Sequence, residues 1–320
     1  MTGRTLGRAL VGAAIAAAVL LPLAFQGTQP YYLQLAINVL ISATLALSWD
    51  LLARTGQLSL AHAAFYGLGA YTSVLLTTRA GVPVLLGMAA GALVASAAAV
   101  LLGFLTLRLR GIYFAIATLA FSETLRVITN QLPFTGRATG LIAPALLGGQ
   151  RAAQYLVILV ILVVLVIVSG WINRSRWHFA FTAIRTNEEV AAVIGVDVVR
   201  FKVLAFAISA CFAGVVGAYY AHVFLFISPL EVYSLAVSVG ALVAPIFGGL
   251  YTTAGPLIGA VVLRAGEELL RSTVGGGYPI IYGFLLAVVI LYMPRGLAGL
   301  WSAASARLFR RRPLREARAG

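Results

Sequence analysis

The chain has 320 residues, 61% apolar and only 10% charged, against roughly 25% charged in a soluble protein, so a water-soluble surface is excluded and most of the exterior faces lipid. At about 20 residues per spanning helix, about ten spans leave about 120 residues for loops and tails, too few for a soluble catalytic domain. The 23 basic against 9 acidic residues, net +14, fit cytoplasmic loops under the positive-inside rule and not a nucleic-acid partner.

Met1 to Arg8 and the apolar run 8–25 resemble a signal peptide. A small-x-small cleavage site before Gln26 is missing and further spans follow, so the run reads as a retained first helix. Apolar runs of spanning length follow at 31–53, 60–77, 83–105, 112–130, 153–171, 202–222, 233–250, 256–273 and 278–294. The run 60–77, interrupted by Gly67 and Gly69, is short enough to be re-entrant. Charge decides for ten spans: with both ends inside, only Arg79, Arg126, Arg137, Arg151, Arg264 and Arg271 fall on or near the outer side. The expected fold class is therefore all-α, a multi-pass membrane protein with about ten transmembrane helices and both termini cytoplasmic. In that arrangement spans 2–5 begin outside and spans 7–10 inside. This is the geometry of an inverted repeat, which places a substrate path at the repeat interface, although the two blocks share no convincing sequence identity.

Polar groups inside a membrane are costly and each asks for a role. Asp50 and Arg54 have i,i+4 spacing and suit an ion pair; Glu123 and Arg126 allow either a pair or a Glu123 facing the path. Gln57, Ser59 and His62 stand at the start of a Gly-broken span. A discontinuous helix there would offer backbone amides to an anionic carboxylate; a hydrogen bond from His62 to a neighbouring helix is the plainer alternative. Arg264, Glu267, Glu268 and Arg271 offer i,i+3/i+4 pairs. Ser209, Ala213, Gly217 and Ala221 recur every four positions and predict a packing face. Gly248-Gly249 and Gly255-Pro256 predict a tight turn. Cys211 is the single cysteine and the three histidines are scattered, so no disulfide, metal site or cofactor is expected.

The longest polar interruption is the loop at about 174–201. Within it Thr186 and Glu189 have capping-box spacing, Glu188 and Glu189 suit the positive end of a helix dipole, and Gly195 supplies a left-handed stop. Val190, Ala191, Val193 and Ile194 give the enclosed two-turn helix an apolar surface. So short a helix needs something to pack against, either its own spans or another protein. Lys202, the only lysine, lies outside any Gly-Lys-Ser/Thr sequence. A P-loop is therefore excluded, and any ATP is bound by a separate chain.

Three ordered motifs carry a resemblance: Gly56-Gln57-Leu58-Ser59-Leu60-Ala61-His62 with Gly69-Ala70-Tyr71, Arg108-Leu109-Arg110-Gly111-Ile112-Tyr113-Phe114, and Ala183-Ile184-Arg185-Thr186-Asn187-Glu188 through Gly195 to Ala213-Gly214. Glu189-Val190-Ala191-x-x-x-Gly195 resembles the Glu-Ala-Ala-x-x-x-Gly loop of bacterial ABC-importer permeases, departing at Val190; Ala61 stands where Gly is usual. From about residue 31 to 300 the chain is similar to the LivM-type permeases of branched-chain amino acid ABC importers. The resemblance implies a single transmembrane permease domain, 1–306, with a basic cytoplasmic tail, 307–320, in the bacterial plasma (inner) membrane. It also implies a LivH-type sister permease, two cytoplasmic ATPase subunits and a periplasmic or lipid-anchored substrate-binding protein as partners. The loop helix would be the coupling helix, with Arg185, Asn187, Glu188 and Glu189 as polar contacts and Ala191 and Gly195 as close-packing positions. Gln57, Ser59, His62 and Glu123 would be path residues. Urea, short amides, aromatic acids or other small carboxylates are alternative cargoes. The competing classes are an ion-coupled secondary transporter titrating Glu123, Asp50 or His62, and a membrane-embedded enzyme, for which no cluster of catalytic groups is present.

Overall fold

The computed structural model describes residues 30–277 except 107, 108 and 110, together with 280, 281, 283 and 284. The runs 8–25 and most of 278–294, Arg108 and Arg110 of the second motif, and the tail 307–320 lie outside the described residues. Every expected run from 31 to 273 is helical. In chain order these are α1 (Pro30–Ala53), α2 (His62–Arg79), α3 (Val84–Thr106), α4 (Ile112–Gln131) and α5 (Arg151–Arg174). The expected loop is itself helical, forming α6 (Arg176–Thr186) and α7 (Glu188–Val193); α8 (Val198–Phe224), α9 (Pro229–Val232), α10 (Leu235–Gly248) and α11 (Ala254–Val274) complete the set.

Local chemistry sets the boundaries. Gly81, at φ +64°, and Pro83 separate α2 from α3. The Asp197 carboxylate accepts from the Arg200 N–H and caps α8. Pro229 opens α9 in its first turn, where a missing N–H costs nothing. One pairing is non-helical: β1 (Leu141–Ile142) and β2 (Phe226–Ile227) run antiparallel, Leu141 opposite Ile227, and tie the 132–150 segment to the end of α8.

Six of the described segments are long and apolar enough to cross a membrane: α1, α3, α4, α5, α8 and the α9–α10 stretch. The two other expected spans fall short of that combination. α2, 18 residues long, carries His62, Thr72, Ser73, Thr77, Thr78 and Arg79, and α11 carries Arg264, Glu267, Glu268 and Arg271. Both are packed among the spanning helices, which compensates for their weaker affinity for lipid. An all-α multi-pass membrane fold is thus observed, with fewer than ten self-sufficient spans among the described residues.

The packing is a crossed exchange between two halves. α8 lies against α2 and α3, while α1 lies against α10 and α11, and α1 and α8 touch at the centre. α1 and α8 are antiparallel: the Ser209 hydroxyl donates to the Ser48 carbonyl, and Ile41 and Tyr220 line one cavity further along. α2 and α3 form an antiparallel pair with Gly69 against Gly91, and α10 and α11 form another with Gly248 against Gly255. At Gly69 an added Cβ would lie 2.0 Å from the Gly214 carbonyl oxygen, and at Gly217 1.9 Å from that of Tyr66. No side chain fits there. The expected packing stripe Ser209, Ala213, Gly217 and Ala221 is wholly buried in this seam, where small residues let backbones approach.

Candidate functional site

α6 and α7 project from the end of the bundle that also holds Arg54 and the turn between α10 and α11. The expected short helix is present, but its cap is one residue later than Thr186. The chain breaks at Asn187, which is extended (φ −161°, ψ 114°), and its side-chain oxygen accepts from the N–H groups of Glu189 and Val190 at 2.9 and 3.2 Å. Thr186 belongs to α6, its hydroxyl donating to the Thr182 carbonyl. Gly195, at φ +87°, stops α7 as expected. The Gly195 N–H donates to Ala192 and the Val196 N–H to Ala191, the paired bonds of a Schellman end.

Ala191 is buried, whereas Val190, Ile194 and above all Val193, 87% exposed, point outward with Phe179 of α6. The apolar face anticipated on this helix therefore divides, with one small residue seated on the protein and three branched ones left uncovered. Between α6 and α7 lies a cavity of about 470 Å³ lined by Phe179, Thr182, Thr186, Val190 and Ile194 among others. An exposed apolar knob on a stiff two-helix support is suited to insertion into a groove on another protein.

Of the polar residues expected to reach a partner, two turn inward. Glu188 forms an ion pair with Lys202 of α8, whose side chain is 1% exposed. Arg185 stacks on Tyr251, its guanidinium carbon 3.9 Å from the ring centroid, and an added Cβ at Gly56 would lie 3.3 Å from the Arg185 Cα. Asn187 is exposed but spent on capping; Glu189 is exposed in the first turn. Sequence reasoning missed Lys202 and Tyr251 as members of this site. A lone lysine at the buried start of a spanning helix was the available signal for the first.

Tyr251 leads into a buried polar network. It adopts φ +65°, a strained conformation for a bulky residue, and its N–H donates to Asp50 Oδ1 at 2.6 Å. The expected Asp50–Arg54 ion pair is present at 2.9 Å and buried. Arg54 also donates to Asn173 and Ser169 of α5, both at 2.9 Å, and these two residues meet Thr253 before α11. α1, α5, α6 and the α10–α11 turn are thus tied at one point.

The expected path residues do not converge. Gln57, Ser59 and His62 are buried, and the helix break before α2 is present, but three of its amides are occupied by protein. Leu60 N–H donates to Thr118, Ala61 N–H to Ser59, and Ala63 N–H to Ser238, while Trp49 Nε1 donates to the Ser59 carbonyl. The amides of Leu60, Ala61 and Ala63 are therefore not open to a carboxylate. His62 Nε2 meets Ser209 of α8 at 3.1 Å, the interhelical bond of the plainer alternative. Glu123 sits apart on α4, half exposed and paired with Arg126 at 2.7 Å. Among the described residues no group of three or more His, Cys, Asp or Glu could hold a metal.

Crossed pairs of long apolar helices and a projecting helical hairpin make this an all-α, multi-pass integral membrane protein. Residues 31–294 match the family of branched-chain amino acid transport system permease components, and the chain belongs to it. It is 31% identical over 274 residues to the high-affinity branched-chain amino acid transport system permease protein LivM of Salmonella typhimurium and to LivM of Escherichia coli. These alignments cover 76% of this chain and 64% of each relative, so the chain spans less than two thirds of their length. LivH of Salmonella typhimurium is 24% identical over 186 residues, 54% of this chain and 60% of that protein. No solved structure matches.

Proposed function

We propose that the chain is one permease subunit of an ATP-driven importer in the bacterial inner membrane, forming half of the translocation path for branched-chain amino acids. The single observation that carries this reading is the uncovered apolar knob of α7 on a chain whose relatives are named as permease components of such systems. A LivH-type sister subunit completes the path, two cytoplasmic ATPases hydrolyse the ATP, and a periplasmic or lipid-anchored protein delivers the solute. Ten spans with both termini cytoplasmic are consistent with the grouping of Arg54, Arg174, Arg176, Arg185 and Arg200 at the knob end of the bundle. The crossed exchange of α1 and α8 supports an inverted repeat of spans 2–5 and 7–10. Residues 1–306 are assigned to one permease domain, and 307–320 to a basic tail.

In this mechanism Val190, Val193 and Ile194 enter a groove on the ATPase beside Glu189. Asn187, Ala191 and Gly195 shape the helix that presents them, and Glu188 and Arg185 bind it to the spans. Closure of the ATPases pulls α7, and Lys202 passes the pull to α8 while Tyr251 passes it to the α10–α11 turn. Of the first path candidates, Gln57 and His62 keep the stronger support, since Gln57 Oε1 and His62 Nδ1 are buried with no hydrogen-bond partner among the described residues. Vesicles carrying the chain with its sister subunit, ATPases and binding protein should accumulate leucine only with ATP inside the ATPase compartment. Accumulation by the chain alone on an imposed ion gradient would replace this reading with a secondary transporter.

A further inference from the structure

Two adjoining cavities open along α10, between α1 and α11, at the level of residues 38–45 in the middle of α1. The first, about 300 Å³, is lined by Asn38, Ser42, Tyr66, Tyr220, Glu231 and Arg264 together with apolar groups. The second, about 310 Å³, shares Ser42, Ala236, Gly240 and Arg264 and is otherwise walled by Val239, Val243, Ala244, Ala260 and Leu263, with Glu267, the partner of Arg264, at its edge. Each is at the lower end of the roughly 300–1,000 Å³ typical of small-molecule sites. A cation and an anion thus border one open groove, Glu231 and Gly240 exposed and Arg264 half-buried, at the level of the spanning helices, where ionisable groups mark function.

The charges are held but not used up. Arg264 Nε donates to Ser42 at 2.5 Å and Nη1 to Glu267 at 2.7 Å, which among the described residues leaves Nη2 for a further acceptor. One oxygen of Glu231 accepts from the Tyr220 hydroxyl, and the other suits an ammonium. Gly240, with no atom within 4 Å of an added Cβ, leaves the passage between the two cavities open. We propose that this groove is a binding site for the zwitterion of a neutral amino acid with a branched aliphatic side chain. Arg264 takes the carboxylate, Glu231 takes the ammonium, and the side chain lies over Gly240 against Val239, Val243 and Leu263. The proposal rests on the importer reading and locates the cargo within this subunit, away from Gln57, Ser59 and His62.

The test uses the assembled importer in vesicles, with Val237→Cys, which lines the first cavity, in a Cys211→Ser background. Leucine should slow alkylation of the cysteine by N-ethylmaleimide at least fivefold. 4-Methylpentanoate, lacking the ammonium, and isopentylamine, lacking the carboxylate, should not. Glu231→Gln should lower leucine uptake at least tenfold while binding-protein-stimulated ATP hydrolysis stays within twofold, a split that misfolding would not give. Equal alkylation with and without leucine, in vesicles that still import leucine, overturns the site and leaves the importer reading intact. A cysteine that reacts in the isolated chain but is blocked in the assembly overturns it in favour of a subunit interface. No leucine import by the unsubstituted assembly removes the importer reading first, and the site with it.

Discussion

Removing Glu188 should uncouple the importer by stranding Lys202 and not by deleting a contact to the ATPase. Lys202 is 1% exposed and its ion-pair partner 24% exposed. Breaking a buried pair by deleting one partner costs about 3–5 kcal/mol, because the remaining charge stays buried. Water reaches the Glu188 side, so the lower end, about 3 kcal/mol, applies to Glu188→Gln. At about 1.4 kcal/mol per tenfold, roughly a hundredfold shift in the ratio of seated to unseated α7 follows. Lys202→Met, which removes the buried charge, should cost less, and Glu188→Leu with Lys202→Met should restore the seat. The assay is binding-protein-stimulated ATP hydrolysis by the reconstituted importer, with membrane insertion checked in parallel. Glu188→Gln is expected to lose most of the stimulation and the double variant to regain it. If Glu188→Gln keeps full stimulation, or the double variant is as inactive as the single, the ion pair does not seat the helix and the reasoning fails.

Val193→Asp alters a residue 87% exposed, so stability should move by no more than about 0.5 kcal/mol, while co-purification of the ATPases is lost. Arg185→Gln removes the stacking on Tyr251, worth about 0.5–2 kcal/mol; leucine uptake should fall while ATPase co-purification persists. Gly69→Val forces a side chain into the Gly214 backbone. The chain should fail to accumulate in the membrane, read by immunoblot of membrane fractions, since overpacking of this kind costs about 1–3 kcal/mol or more. Gly195→Val, at φ +87°, should destabilise the end of α7 and reduce stimulated hydrolysis, whereas Gly195→Asn, which tolerates that conformation, should retain most of it.

Hydropathy alone located α1 to α5, α8, α10 and α11 to within a few residues, because lipid forces backbone hydrogen bonds to close within a segment, whereas α6 lay in a stretch that read as a polar loop and α9 carried no separate signal. The stop at Gly195 and the ion pair Asp50–Arg54 were equally legible, each resting on neighbours one turn apart. What could not be read depends on distant partners. Thr186 and Asn187 both suit an N-cap, and only the continuation of α6 through Thr186 decides between them. Glu188 read as a partner contact because nothing in the sequence brings Lys202, a helix away, beneath it. The amides around Ser59 read as open because Thr118 and Ser238, which occupy them, come from other spans. Arg264 and Glu267 read as a local pair, and the groove they border exists only once α1 and α10 are placed alongside.

The crossed architecture gives the proposed coupling through so small a knob a physical route to the whole bundle. α8 starts beside α7 and runs the full thickness against α2 and α3, so a displacement at Lys202 reaches one helix pair directly. The other pair, α10 and α11, is reached through Arg185, Tyr251 and Asp50, whose carboxylate holds the strained Tyr251 N–H. Asp50 belongs to α1, the helix that packs on that second pair. The two routes therefore start from the adjoining helices α6 and α7 and end on opposite halves, where the glycines at Gly69–Gly214 and Gly248–Gly255 bring backbones into close approach. In the proposed mechanism a pull on α7 turns one half against the other, which is the motion alternating access requires.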